Sequence, residues 1–242
     1  MRDEAVAWHD VECASYTADL PLWRELAEAV GGPVLDLGCG SGRVALDLAG
    51  RGHAVTAVDS DATLVAALSR RARDSGMRVR CAVGDARSLA LGETFALAIA
   101  PMQVVQLLGG EQGRRAALAR VRDHLRAGGA FAAALADPFE GVAPEDSLPP
   151  LPDVREEDGW VLSSRPVAVR SEPGAVAVDR LRQAVSPAGE LAETLVTVRL
   201  DALGADELEA EARQAGYRPA GRRRVPETED HVGSTVVVLE AS

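Results

Sequence analysis

The ten residues Val34-Leu35-Asp36-Leu37-Gly38-Cys39-Gly40-Ser41-Gly42-Arg43 constrain the fold of this chain more than any other stretch. Four residues of buried-strand character run into three glycines at alternate positions, and Val44, Ala45, Leu48 and Ala49 follow at helical spacing. The stretch reads as strand, tight turn, helix. Glycines at the end of a strand let a ligand approach the main chain, because no Cβ intervenes and positive φ is allowed. A G-x-G-x-G turn by itself fits any α/β domain, so its context has to decide what it binds.

A second apolar strand, Ala54 to Val58, ends on Asp59 about one βαβ unit later. A carboxylate there lies beside the glycine turn and can accept both hydroxyls of a ribose. The dinucleotide fingerprint needs a glycine at position 43, where this chain has Arg43, so NAD is the weaker choice. Ser60-Asp61 then caps a helix running through Leu64, Val65, Leu68 and Ala72 to near Gly76. A third strand, Val79 to Val83, ends in Gly84-Asp85-Ala86. A carboxylate at that point can accept from an exocyclic adenine amine while the next amide donates to a ring nitrogen. Alone, Gly-Asp is a turn; third in this series, it completes a nucleoside site.

Composition sets limits. With 242 residues and 47% hydrophobic content, one domain carrying an insertion is the natural expectation. The balance of 26 basic against 37 acidic residues, net −11, disfavours nucleic acid and anionic membrane surfaces, which need basic patches. Cys13, Cys39 and Cys81 are far apart with no CxxC, suggesting neither a metal site nor a disulfide framework. The first residues are charged, and no run approaches the length of a membrane span, so the expectation is a soluble, cytoplasmic protein.

The succession Val34 to Gly42, Val58-Asp59 and Gly84-Asp85-Ala86 closely resembles the class I S-adenosylmethionine-dependent methyltransferases. Downstream, Phe95 to Ala100 read as the fourth strand, Pro101 to Leu108 as the loop after it, Leu118 to Gly129 as a helix and Ala130 to Leu135 as the fifth strand. The resemblance covers about residues 18 to 137. It implies S-adenosylmethionine as cofactor, with Gly38, Cys39 and Gly40 forming the turn against its methionine part and Asp36 ordering that turn and the cofactor's amino group. It places Asp59 on the ribose, Ser60 on the adenine face, Asp85 and Ala86 at the adenine edge, and the main chain near Ala100 at the methionine ammonium. The chain departs from the family pattern at Phe95-Ala96, where Phe-Asp is common, at Gln106, where a histidine is common, and at Ser60, where an apolar residue is common.

The flanking segments have to supply the acceptor side. Residues before Asp19 lack clear periodicity but carry Trp8, His9 and Tyr16 in a chain with only 3% aromatics. Asp19 and Pro21 mark a helix with Leu22, Trp23, Leu26, Ala29 and Val30 on one face, which lays the Tyr16 segment across the glycine turn. Asp137-Pro138 opens a proline-rich, acidic segment to Asp153 that reads as a loop at the carboxyl end of the sheet, a lid or a plain surface loop. Period-two alternation at Val167/Val169, Val176/Val178 and Thr194 to Leu200 predicts three antiparallel strands, which the resemblance to the methyltransferases implies cover the site or form a subunit interface. Arg180 and Arg182 alternate on one face, read chiefly as a solvated basic face. Leu208, Ala212 and Ala215 predict a helix capped by Gly216, followed by strands at Tyr217 to Val225 and Thr235 to Glu240.

The fold expected is therefore α/β: a three-layer, doubly wound, mostly parallel seven-stranded sheet with a C-terminal antiparallel hairpin and an inserted antiparallel sheet. Residues 1–137 form the N-terminal helical segment and cofactor part, 138–203 the insertion, and 204–242 the helix and strands that complete the core. The function expected is methyl transfer to the nitrogen or oxygen of a small-molecule acceptor, by a monomer or a homodimer through the inserted strands. Tyr16, Gln106, Asp137 and His231 are the first candidates for acceptor-side catalysis, with His9 and Glu140 behind them. A protein that binds the cofactor without transferring methyl, or a lyase or cyclase using the same pocket, remains open. No Asp/Asn-Pro-Pro-Tyr tetrad follows the fourth strand, which argues against methylation of nucleobase amines.

Overall fold

A computed structural model describes residues 3–136, 151–228 and 231–242. Before the glycine turn come two helices, α1 (Glu4–Cys13) and α2 (Leu20–Val30). The core then runs β1 (Val34–Leu37), α3 (Arg43–Gly50), β2 (Val55–Asp59), α4 (Ala62–Asp74), β3 (Val79–Val83), β4 (Phe95–Ala100), α5 (Gly110–Asp123) and β5 (Leu125–Ala136). Four strands follow, β6 (Asp153–Glu157), β7 (Trp160–Glu172), β8 (Ala175–Val185) and β9 (Leu191–Asp201), before α6 (Ala205–Gln214), β10 (Tyr217–Val225) and β11 (Ser234–Ala241).

The principal sheet has seven strands in the order β10-β11-β5-β4-β1-β2-β3. Strands β1 to β5 are mutually parallel, and β11 and β10 close the edge antiparallel. Alternate residues feed two apolar layers. Leu35, Leu37, Ala98, Ala100 and Phe131 pack on one face with Leu118, Val121, Leu208 and Ala212 of α5 and α6. Val34, Leu97, Ile99 and Ala132 pack on the other with Trp23, Leu26, Leu48 and Leu68 of α2, α3 and α4. Both faces of β1 and β4 are thus buried, which is why β4 reads as a continuous apolar run and β1 as one broken only by Asp36. The fold class matches the expectation from sequence.

Four differences have local causes. The first is α1, which the sequence reading did not find: Val6, Ala7, Trp8, Asp10 and Val11 are all buried, so it lacks a single apolar stripe. The second is α5, which begins at Gly110, eight residues ahead of the expected Leu118, and ends at Asp123. Its early turns carry polar residues, with Arg114 buried between Asp201 and Glu211. The third is the inserted sheet, which has four strands in meander order because Asp153–Glu157, a charged segment without apolar alternation, pairs with β7. The fourth concerns Arg180 and Arg182, which face carboxylates of this chain rather than solvent.

Candidate active site

The glycine turn, the ends of β2 and β3 and the segment after β4 enclose a cavity of about 360 Å3 at the carboxyl edge of the parallel strands. That size falls within the range of small-molecule sites, roughly 300–1,000 Å3. Gly38 and Gly40 have φ of +64° and +53°. A Cβ at Gly38 would overlap the Val104 side chain, and one at Gly40 would overlap the His9 ring. Both positions therefore need glycine for conformation and for space.

Three carboxylates face this cavity. Asp36, near the end of β1, is fully buried, and neither of its oxygens has a hydrogen-bond partner among the described residues. Burial pushes its carboxyl up to about 7, opposed by the Arg43 guanidinium. A buried carboxylate left without a partner is costly, and a cation placed in the cavity would relieve it. Asp59 is already partly engaged: Oδ2 accepts from the Gly40 amide at 2.8 Å and Oδ1 from the Asp61 amide at 2.9 Å. Each oxygen keeps a lone pair for a hydroxyl. Asp85 accepts from the Arg87 amide at 2.8 Å and from its guanidinium at 2.5–3.0 Å, which together hold it below the usual carboxylate range. Asp61 caps α4 through the amides of Thr63 and Leu64.

Cys39, Ser60 and Ala86 also line the cavity, whereas Ala100 does not. Ala100 is buried and paired with Ala133 in the sheet, so the wall expected there is formed by Pro101 to Val104 instead. The Cys39 Sγ donates to the Gly40 carbonyl at 3.7 Å, and burial pushes its thiol up.

A second cavity of about 350 Å3 lies between the inserted sheet and the core. Pro166, Val169, Val178, Val198 and Leu200 supply an apolar wall, faced by Tyr16, Asp153, Arg180 and His231. Cys13, Met102, Gln103 and Leu107 border both cavities. Met102 has φ of +57°, a region that residues other than glycine seldom adopt.

Of the acceptor-side candidates, the structure brings together Tyr16 and His231, whose ring centroids are 4.9 Å apart. Burial, with Asp19 nearby, raises the Tyr16 phenol, so it stays protonated. Asp153, which sequence reasoning had passed over, is raised by burial and paired with Arg180 at 2.5 Å. Gln106 is placed elsewhere. Its amide nitrogen donates to the carbonyls of Ala136 and Asp201 at 3.0 and 3.2 Å, and its oxygen accepts from the Ala136 amide at 2.9 Å. It is a tie between the core and the returning end of β9, and it borders neither cavity. Asp137 and Glu140, together with the expected lid, lie outside the described residues.

Two arginines hold the segments around the site in place. Arg43 opens α3 and donates to both Asp19 oxygens at 2.5 and 2.8 Å and to the Tyr16 carbonyl at 2.8 Å. Arg182 grips both oxygens of Glu12 at 2.7 and 2.8 Å, while Ser164 donates to the same carboxylate at 2.8 Å. The second contact ties α1 to the inserted sheet.

Residues 34–129 match a family described as methyltransferase domain. No curated protein matches the chain in sequence. In structure, the chain is similar to an S-adenosylmethionine-dependent methyltransferase from Clostridium acetobutylicum, with TM-score 0.74 and 14% identity over 98% of this chain and 96% of that one. It is also similar to the CcbJ methyltransferase from Streptomyces caelestis, with TM-score 0.71 and 23% identity over 95% and 98%. A third match is CalS10, an amino pentose methyltransferase from Micromonospora echinaspora, with TM-score 0.72 and 20% identity over 98% and 95%. The likeness extends through the inserted sheet, and the chain has the class I methyltransferase fold. Among the described residues, no helix is long and apolar enough to cross a membrane.

Proposed function

We propose that the chain transfers a methyl group from S-adenosylmethionine to a small-molecule acceptor, with an amine as the accepting group. The unpartnered Asp36 carboxylate in the first cavity carries this reading, because the methionine ammonium is the cation it lacks. When bound, S-adenosylmethionine supplies an electrophilic methyl on its sulfonium. Gly38 and Gly40 admit the methionine part, Asp59 takes ribose hydroxyls with its free lone pairs, and Asp85 with the Ala86 amide takes the adenine edge.

The acceptor would occupy the second cavity with its nucleophile toward Met102, Gln103 and Leu107, which border both spaces. Holding nucleophile and methyl in line and excluding water is most of what this reaction asks of a protein. Tyr16, kept protonated, donates a hydrogen bond that orients the acceptor. The His231 ring beside it receives the proton that an amine releases. The inserted sheet forms the apolar roof. An amine is also supported by likeness to a sugar N-methyltransferase from Streptoalloteichus, at 19% identity, and to a glycopeptide N-methyltransferase, at 24%.

Calorimetry with S-adenosylmethionine on wild type and Asp59→Ala tests the cofactor side. Loss of hydrogen bonds to a charged acceptor, worth about 1.5–3 kcal/mol, should weaken affinity by roughly ten- to hundredfold. Equal affinity in the two proteins would refute the ribose assignment. Incubation with a pool of small amines and labelled cofactor tests transfer, and binding without labelling of any amine would favour a non-transferring protein.

A further inference from the structure

We infer that His9 is a second ribose-binding group, its Nε2 accepting a hydrogen bond from one hydroxyl of the methyl donor beside Asp59. The inference rests on the first cavity being the S-adenosylmethionine site, and it follows from a chain of hydrogen bonds that fixes the tautomer of the ring.

The chain starts at Asp10. This carboxylate is buried on α1 and accepts from Arg71 of α4, with Arg155 of β6 at 3.4 Å. The Arg71 and Ser41 hydrogen bonds outweigh burial and hold Asp10 below the usual carboxylate range, so it is ionised and can only accept. Ser41 Oγ lies 2.6 Å from Asp10 Oδ1, so its single proton points there. The hydroxyl then offers only lone pairs to its other neighbour, His9 Nδ1, at 3.2 Å. His9 must therefore carry its proton on Nδ1, and Nε2 is left as an acceptor. Burial keeps the ring neutral against the opposing pull of Asp10 and Asp59.

Geometry gives that acceptor its direction. The Nε2 edge lies directly over Gly40, in the space a Cβ would fill, and Gly40 is the residue whose amide binds Asp59. His9 lines the same cavity as Asp59 and Ser60, and no described residue donates to Nε2. A ribose held by Asp59 would thus have an acceptor on each side of the turn, one carboxylate from β2 and one imidazole from α1.

The test is calorimetry with S-adenosylhomocysteine and its 2′-deoxy and 3′-deoxy analogues on wild type, His9→Phe and Ser41→Ala. Phenylalanine keeps a ring over Gly40 without the acceptor, and Ser41→Ala keeps the ring nitrogen but releases the tautomer. In wild type, each missing hydroxyl should weaken binding. In His9→Phe, the penalty for one of the two should shrink by roughly three- to tenfold while the other persists, as expected for a single neutral hydrogen bond. Ser41→Ala should show the same selective change at smaller size. Penalties in both variants equal to those in wild type would overturn the assignment of His9 and leave the site standing. Failure of wild type to bind S-adenosylhomocysteine would overturn the cofactor reading itself.

Discussion

The two cavities that meet at Met102 and Gln103 differ in how they treat charge. The first leaves Asp36 buried with no hydrogen-bond partner among the described residues. The second compensates its carboxylates internally: Glu12 by Arg182 and Ser164, Asp19 by Arg43 and Trp23, Asp153 by Arg180. A site with an uncompensated charge is waiting for a ligand of opposite sign, whereas a site with matched pairs and apolar walls offers a cation no free carboxylate. The first thus suits a cationic ligand and the second a neutral one.

Arg43 spans the two regions, and removing it should have the largest effect on the comparison. Arg43→Ala leaves the buried Asp19 without its counter-charge, held only by the Trp23 indole N–H, and breaking such a pair costs about 3–5 kcal/mol, to be read from urea denaturation at neutral pH. A loss below about 1 kcal/mol would show the pair to be incidental.

Asp36→Asn tests the uncompensated charge directly. The carboxyl is raised from 3.8 to about 7 in the folded protein, so folding favours its protonated form. Its contribution to stability is full below pH 3.8 and is lost as pH rises through about 7. Above pH 7 the asparagine variant should therefore be the more stable ligand-free protein, by up to about 4 kcal/mol, with the gap closing toward pH 4. Binding has the opposite sense. A cationic ligand favours ionised Asp36, so wild-type affinity for S-adenosylhomocysteine should rise with pH up to about 7 and then level, while Asp36→Asn stays flat. Parallel pH profiles would remove Asp36 from the ammonium site.

Glu12→Gln addresses the matched side. Arg182 and Ser164 outweigh burial in holding Glu12 below its ordinary range, so its stabilisation is present above pH 4.5 and is lost as pH falls. The variant should lose about 1–3 kcal/mol and expose α1 and β8 to hydrogen exchange together, with acceptor KM rising more than cofactor affinity falls. Independent exchange of α1 and β8 would mean that the contact does not couple them. The smallest effect belongs to Arg87→Ala, which removes an exposed partner of Asp85 and should leave the melting temperature unchanged while modestly tightening adenosine-containing ligands. Weakened binding would instead assign Arg87 itself to the ligand.

The lining of the first cavity was legible because its signals are local. Asp36, Gly38, Gly40, Asp59 and Asp85 each stand at the end of an apolar run whose period reveals the strand, and parallel neighbours bring those ends to one edge. Gln106 was misplaced for the converse reason, since its position after β4 said nothing of the main-chain groups of Ala136 and Asp201 that claim its amide. Similarly, α1 was hidden because it is packed on several sides, against the glycine turn through Ser41 and against β7 through Leu162.

By itself, then, the sequence determined the succession of the core strands, the glycine turn and the acidic residues at the strand tips, because backbone sterics and hydrophobic period act over short distances along the chain. Only the tertiary structure decided which charges are matched and which is left bare. Asp19 meets Arg43 across 24 residues and Glu12 meets Arg182 across 170, and no periodicity encodes such a pairing. Whether a buried charge is compensated depends on which groups lie within a few ångströms of it, and that depends on the whole fold.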